Sequence, residues 1–202
     1  MPTAVTEVFT QPIPPDPPRK RWTRAECSIL EAAGVLDQQP VELVDGELIS
    51  KMGKKRPHVD VVALLTGWLI GVFGGRFVNL EAPIDVAPQD NPTNEPEPDA
   101  IVLRRTFSGF RTATPKPYDL ELVVEVSDTS LVFDLTTKAA LYARAGISEY
   151  WVLDIQGRRL LVHREPKGGR YGSIVAYGEN EAVAPLAAPD KFFRVADVFP
   201  VL

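Results

Sequence analysis

The chain has 202 residues, 45% of them apolar, enough to bury one sizeable core and to form a single globular domain rather than a disordered segment. Its net charge of -5 sets long-range electrostatics against nucleic acid and anionic membranes, so phosphate binding has to come from local basic clusters or from cations held by carboxylates. The single cysteine, Cys27, excludes an internal disulfide and a cysteine-based metal cluster, and its helical context makes it a small core residue in a reducing compartment.

The first residues, Met1 to Glu7, carry neither a basic n-region nor an apolar h-region, so the expectation is a cytoplasmic protein without a secretory signal. Five prolines between Thr10 and Lys20 remove amide donors and fix φ, which predicts an extended arm over residues 1–21 ahead of one domain over 22–202. Thr23 and Glu26 have capping-box spacing, and Ile29, Leu30, Ala33 and Leu36 recur at helical intervals; a first helix from about Arg24 to Ala33, stopped by Gly34, follows. Val41 to Val44 and Glu47 to Ser50 flank Asp45-Gly46, the dipeptide that favours a type I′ hairpin. Alternation sets Val41 and Leu43 on one face and Glu42 and Val44 on the other.

Lys51, Lys54, Lys55, Arg56 and His58 form the densest basic cluster, a solvated loop or a phosphate contact. Pro57 suits the first turn of a second helix whose apolar residues, Val61, Val62, Leu64, Leu65, Trp68, Leu69, Val72 and Phe73, surround much of its circumference. That pattern predicts burial on more than one side, by a central position against the sheet or at a homodimer interface. The uncharged run from Val61 to Gly75 is too short for the roughly 20 residues that span a bilayer, so no membrane association is expected. A strand over Phe77–Val86, a loop over Gln89–Pro98 and buried strands over Ala100–Leu103 and Leu120–Val126 come next. A helix capped by Thr129 or Ser130 runs to about Ala145 before Gly146. Strands over Glu149–Asp154 and Arg158–Arg164 follow, and short strands lie around Ser173–Tyr177 and Phe192–Arg194. The order predicts a mixed α/β sheet flanked by helices, with an N-terminal helix and hairpin.

Three residues in this frame carry chemistry. Asp99 opens one apolar strand, and Glu125 interrupts another near its far end; if the two strands are antiparallel neighbours, the carboxylates meet. An unpaired buried carboxylate is costly, so Glu125 has to be protonated, find a cation or hold a metal. Lys138 shares a helical face with Leu135 and Tyr142, which aims it inward; its plainer alternative is an exposed bridge to Asp134. Two carboxylates and an ammonium at a sheet edge suit Mg²⁺-assisted phosphodiester hydrolysis, in which the carboxylates hold a hard cation and the lysine orients water or offsets developing charge.

These residues, with Glu42-Leu43-Val44-Asp45-Gly46-Glu47-Leu48, His58, Pro98-Asp99, Val124-Glu125-Val126-Ser127, the spacing of Asp134, Lys138 and Tyr142, and Gly146-Ile147-Ser148-Glu149-Tyr150-Trp151-Val152, resemble the Uma2 or DUF820 group of the PD-(D/E)xK superfamily. The resemblance covers roughly Trp22 to Glu165 and implies a restriction-endonuclease-like fold and a DNA endonuclease dependent on Mg²⁺ or Mn²⁺. It implies Asp99 and Glu125 as metal ligands and Lys138 as the catalytic lysine. Ser127 stands where the superfamily's lysine, two residues after the glutamate, is usual, so Lys138 on the helix takes over that role. Glu42 and His58 are further candidates for the site, with a solvent-facing hairpin position and a helix cap as their plainer readings. His163, on a late strand, reads as structural.

Lys54, Lys55 and Arg56 are the expected DNA contacts, and a homodimer with two sites would suit cutting both strands. A non-cleaving nucleic-acid-binding or regulatory module on the same fold is the rival reading, and a hydrolase of another phosphate ester a third. Location separates the first two. Gathering of Lys51, Lys54, Lys55 and Arg56 with Arg104, Arg105, Arg111 and Lys116 around Asp99 and Glu125 supports the nuclease, and dispersal supports the module.

Overall fold

The structure, a computed structural model, describes residues 17–37, 39–51 and 55–199. The proline-rich arm before residue 17 and Lys54 of the basic cluster lie outside them. The first helix, α1 (Arg24–Ala32), begins at the expected capping box: the Thr23 amide donates to the Glu26 carboxylate at 3.0 Å, and the Glu26 amide donates to Thr23 Oγ1 at 3.3 Å. Its apolar face is less buried than the periodicity implies, since only Cys27 is buried and Ile29 is exposed. The hairpin of β1 (Val41–Val44) and β2 (Glu47–Ser50) turns through Asp45 at φ 48° and Gly46 at φ 74°, the paired left-handed residues of a type I′ turn.

A six-stranded sheet carries the rest of the fold: β3 (Val78–Leu80), β4 (Ala100–Leu103), β5 (Leu120–Ser127), β6 (Glu149–Asp154), β7 (Arg159–Lys167) and β8 (Arg170–Gly178), adjacent in that order. Only β5 and β6 run parallel, joined by a helical crossover; every other neighbouring pair is antiparallel. β3 is far shorter than the expected Phe77–Val86 strand, because Glu81 turns the chain at φ 48° and Pro83 follows, and neither continues a ladder. β9 (Ala182–Val183) and β10 (Phe193–Arg194) pair separately.

Both faces of the sheet are covered. α2 (Arg56–Phe73) lies on one, where Val61, Leu65 and Leu69 pack with Val102, Leu122, Val124, Trp151 and Phe193. Val59, Leu64 and Ile70 on its other side are exposed, so α2 is buried along one stripe rather than on several sides. A helical segment made of α3 (Leu131–Phe133), a π-helical turn (Asp134–Lys138) and α4 (Ala139–Arg144) covers the opposite face. There Leu141 and Tyr142 join Val44, Ile101, Val123, Tyr150 and Val152. Gly146, at φ 75°, ends that segment where expected.

Candidate active site

The antiparallel register of β4 and β5 sets Ala100 opposite Val124, so Asp99, one residue before β4, arrives beside the end of β5 that carries Glu125. The Val126 amide donates to Asp99 Oδ2 at 2.7 Å, fixing the first carboxylate against the backbone of the residue that follows the second. Alternation along β5 aims Glu125, like Val123, at the face covered by α4. There Lys138 Nζ donates to Glu125 Oε1 at 2.8 Å and lies 2.8 Å from Glu42 Oε1, and the Tyr142 hydroxyl donates to the same Glu125 oxygen at 3.0 Å. Thus Glu42, Glu125 and Lys138 meet in one buried cluster, with Asp99 at its edge.

Glu42 is not the solvent-facing hairpin residue that alternation allowed. It is buried, and its second oxygen accepts from the Glu97 amide at 3.1 Å, adding to the backbone bond from the Glu95 amide to the Leu43 carbonyl at 2.7 Å that docks β1 beside the loop before β4. His58 does not act as a helix cap either. From the first turn of α2 it reaches over the end of β4 and places Nε2 3.2 Å from Asp99 Oδ1.

Asp134, Ser127 and Ser130 join the site without having been expected in it. Asp134 is buried and accepts from Ser127 Oγ at 2.7 Å and from Ser130 Oγ at 2.6 Å, while the Tyr150 hydroxyl donates to its backbone carbonyl at 3.1 Å. It therefore makes no surface bridge to Lys138. The π turn widens the helix between Asp134 and Lys138, so each finds its own partners on the sheet. A cavity of about 160 Å³ opens onto this cluster, lined by Glu42, Asp99, Glu125, Lys138, His58 and Asp134 among others.

The electrostatics follow from burial and crowding. Burial pushes Glu125 well above the usual carboxylate range against the pull of the Lys138 ammonium, and Asp134, Asp99 and Glu42 add to the rise. Burial also works against the Lys138 charge, but Glu125, Glu42 and Asp134 outweigh it and hold the ammonium protonated. Asp99 is raised by burial, yet His58 and the Val126 amide more than offset this and leave it below its ordinary value, ionised at neutral pH. Four carboxylates thus surround one lysine ammonium, an arrangement with room for further positive charge.

Among the described residues, no three Asp, Glu, His or Cys side chains form a preformed metal cage. Asp99 and Glu125 supply two hard oxygen donors, which fits a cation such as Mg²⁺ that keeps much of its water and takes other ligands from substrate phosphate.

The basic groups are dispersed. Lys55 and Arg56 are exposed at the N-terminal end of α2, beside His58, and Lys55 lies 3.8 Å from Asp128 across the cavity. Lys51 pairs with Glu97 at 2.5 Å and Arg56 with Asp60 at 2.9 Å. Arg104 and Arg105, however, follow the far end of β4, where they pair with Glu121 at 3.1 Å and Asp119 at 3.4 Å. They are a strand's length from Asp99 rather than gathered around it. His163 is buried between Tyr150 and Tyr171, with ring centroids at 5.2 and 5.5 Å, and takes no part in the site.

A mixed sheet covered by helices on both faces, with carboxylates and a lysine converging at the end of its antiparallel β4–β5 pair, defines a restriction-endonuclease-like fold. Residues 29–196 match Uma2, the family described as "Putative restriction endonuclease", and the chain belongs to that family. A solved structure described as a "putative nuclease belonging to DUF820" from Anabaena variabilis ATCC 29413 shares the fold, with a TM-score of 0.62 at 16% identity over 80% of this chain and 90% of that one. No curated protein matches the sequence.

Proposed function

We propose that the protein is a metal-dependent endonuclease that hydrolyses phosphodiester bonds in DNA, with Asp99 and Glu125 holding Mg²⁺ or Mn²⁺. The observation that carries the reading is the convergence of Lys138 Nζ on Glu42 and Glu125, both at 2.8 Å, beside a carboxylate fixed by the Val126 amide. The cation, when bound, polarises a phosphate oxygen and lowers the pKa of water. Lys138 fixes the orientation of Glu125 and keeps a positive charge beside the place where the phosphate's charge develops. The Tyr142 hydroxyl, one helical turn on, donates to the same Glu125 oxygen, so two donors hold the carboxylate in one orientation. His58 restrains Asp99 and is within reach of a proton passing from water to that carboxylate. Lys55, on the cavity wall, and Arg56, the next residue, meet the phosphate backbone, and Lys54, outside the described residues, stays a candidate contact.

The family description and the DUF820 neighbour's title support the nuclease reading. The position of Arg104 and Arg105 at the far end of β4 favours the rival, a module that binds nucleic acid without cutting it. Incubation of supercoiled plasmid with purified protein in Mg²⁺, Mn²⁺ or EDTA separates them. Nicking or linearisation with either metal and none in EDTA supports the nuclease. Retention of plasmid on the protein with no break under either metal supports the module and removes the cleavage assignment.

A further inference from the structure

We infer that the loop between β4 and β5, residues 104–118, is a second nucleic-acid contact, one that takes an unpaired strand by stacking its bases on exposed aromatic rings. The partner comes from the reading above; the contact is for binding alone, so it can fail without the cleavage assignment failing. Residues 104–118 hold four basic residues and no acidic one, in a chain whose net charge is -5. Arg104 and Arg105 are paired with Glu121 and Asp119, but Arg111 and Lys116 are exposed and form no ion pair among the described residues. Arg76, also exposed, is tied to the loop by its carbonyl, which accepts from the Phe107 amide at 2.9 Å.

The rings in this loop are held out to solvent. Tyr118 is 68% and Phe107 45% exposed, each in a short 3₁₀ turn, Pro117–Asp119 and Phe107–Phe110. The Arg104 amide donates to the Asp119 carbonyl at 2.8 Å, which brings the two ends of the loop to one end of the sheet. Cations lie against the aromatic faces: Lys116 Nζ is 5.9 Å from the Tyr118 ring centre, and the Arg105 guanidinium is 4.2 Å from that of Phe110. Lys116, Pro117 and Tyr118 also line an open cleft of about 640 Å³, a volume suited to a nucleotide-sized group. The other charged residues of that cleft are already paired, Asp85 with Arg24 at 2.6 Å and Arg144 with Asp90 at 2.9 Å, which leaves Lys116 to meet an anion.

Basic groups interleaved with exposed rings select the occupant. Cations alone would suit any polyanion, but rings beside them gain most from flat faces, and a single strand offers one with every base. A duplex keeps those faces stacked inside, and an acidic peptide has none to offer. The distance to the candidate active site suits one continuous ligand. Leu120, next to the loop, and Glu125 are five positions apart on β5, roughly 17 Å at about 3.3 Å per residue, which is about five phosphates at the 3.4 Å spacing of a duplex strand.

Fluorescence anisotropy of a labelled oligo(dT) of about 20 nucleotides, longer than the 4–16-nucleotide sites of single-strand binders, titrated with the full chain in EDTA, tests this without cleavage. Tyr118→Ala, at an exposed position the fold does not need, should weaken binding at least about fivefold. Arg111→Ala/Lys116→Ala should also weaken it and reduce the slope of log affinity against log salt by about 1.4, the share of two phosphate contacts on a single strand. Lys55→Ala/Arg56→Ala, at the candidate active site, should leave the Tyr118→Ala effect in place. No binding of oligo(dT) by the wild type at low salt overturns the inference, whatever plasmid cutting in Mg²⁺ shows. So does binding that is abolished by Lys55→Ala/Arg56→Ala and indifferent to Tyr118→Ala, or tighter binding of labelled poly-glutamate than of oligo(dT), which would make the loop a contact for acidic protein.

Discussion

Lys138 Nζ stands 2.8 Å from both Glu42 Oε1 and Glu125 Oε1, and all three side chains are buried. One ammonium therefore links the hairpin to the central strand. Its removal leaves two buried carboxylates without a cation, so Lys138→Ala should destabilise the fold by about 3–5 kcal/mol as well as reduce turnover. Much of that loss should return in a Lys138→Ala/Glu42→Gln/Glu125→Gln background, where neither of the two carboxylates that contact Lys138 is left charged. Urea unfolding of the wild type, Lys138→Ala and the triple variant measures it; equal stability of Lys138→Ala and wild type would return Lys138 to a surface role.

Asp134 holds two serine hydroxyls, one at the end of β5 and one just before the helical segment. Asp134→Ala leaves the buried Ser127 hydroxyl without its acceptor, a cost of about 1–3 kcal/mol. It also frees the π turn that sets the position of Lys138. Cleavage should fall more than the stability loss accounts for, and Ser127→Ala combined with Asp134→Ala should recover stability but not turnover. Recovery of both together would make Asp134 a structural residue only.

Gly46 has φ 74°, and a Cβ there would meet the Arg21 Cβ at 2.8 Å. Gly46→Ala should cost about 1–2 kcal/mol from the left-handed conformation alone, more with the clash. Because the same hairpin carries Glu42 to Lys138, a parallel fall in turnover is expected. Thermal melts and plasmid cleavage on one preparation test the coupling; an unchanged melting temperature would contradict the turn geometry.

Burial lowers the pKa of His163 from its usual value near 6.5 in spite of backbone hydrogen bonds that act the other way. The unfolded chain then binds a proton below about pH 6.5 that the folded chain refuses until lower pH. Stability is complete above that value and falls as pH drops through the window beneath it. His163→Phe, which keeps an aromatic ring between Tyr150 and Tyr171, should flatten the dependence of melting temperature on pH between about 6.5 and 5. An identical slope in wild type and variant would place the loss in other groups.

Much of the fold is legible along the chain because local chemistry and tertiary structure agree there. The capping box of α1, Asp45-Gly46, Gly146 and the apolar runs of β4, β5 and β6 each specify an element that also packs in the domain. Asp99, Glu125 and Lys138 could be brought together from strand ends and helical spacing alone. Glu42 could not be settled, since alternation in a four-residue strand separates two faces without saying which one a distant lysine covers. Asp134 was missed because spacing to Lys138 reads as a surface pair on a regular helix, whereas a π turn separates them; Ser127 and Ser130 nearby were the available signal. Tyr142 was legible as a core residue, but nothing in the sequence revealed its hydroxyl's bond to Glu125. The open side of α2 shows the limit of composition: all-round apolarity does not reveal which stripe the sheet takes.

The central claim is that Glu125 belongs to a metal-dependent cleavage site. The measurement that meets it most directly is cutting of plasmid and single-stranded DNA in Mg²⁺ and Mn²⁺ by wild type beside Glu125→Ala, with circular dichroism on both. Metal-dependent cutting by the wild type, lost in a folded Glu125→Ala, is the expected result. Equal cutting by the two proteins would contradict the site, and absence of cutting by the wild type with either metal would contradict the activity.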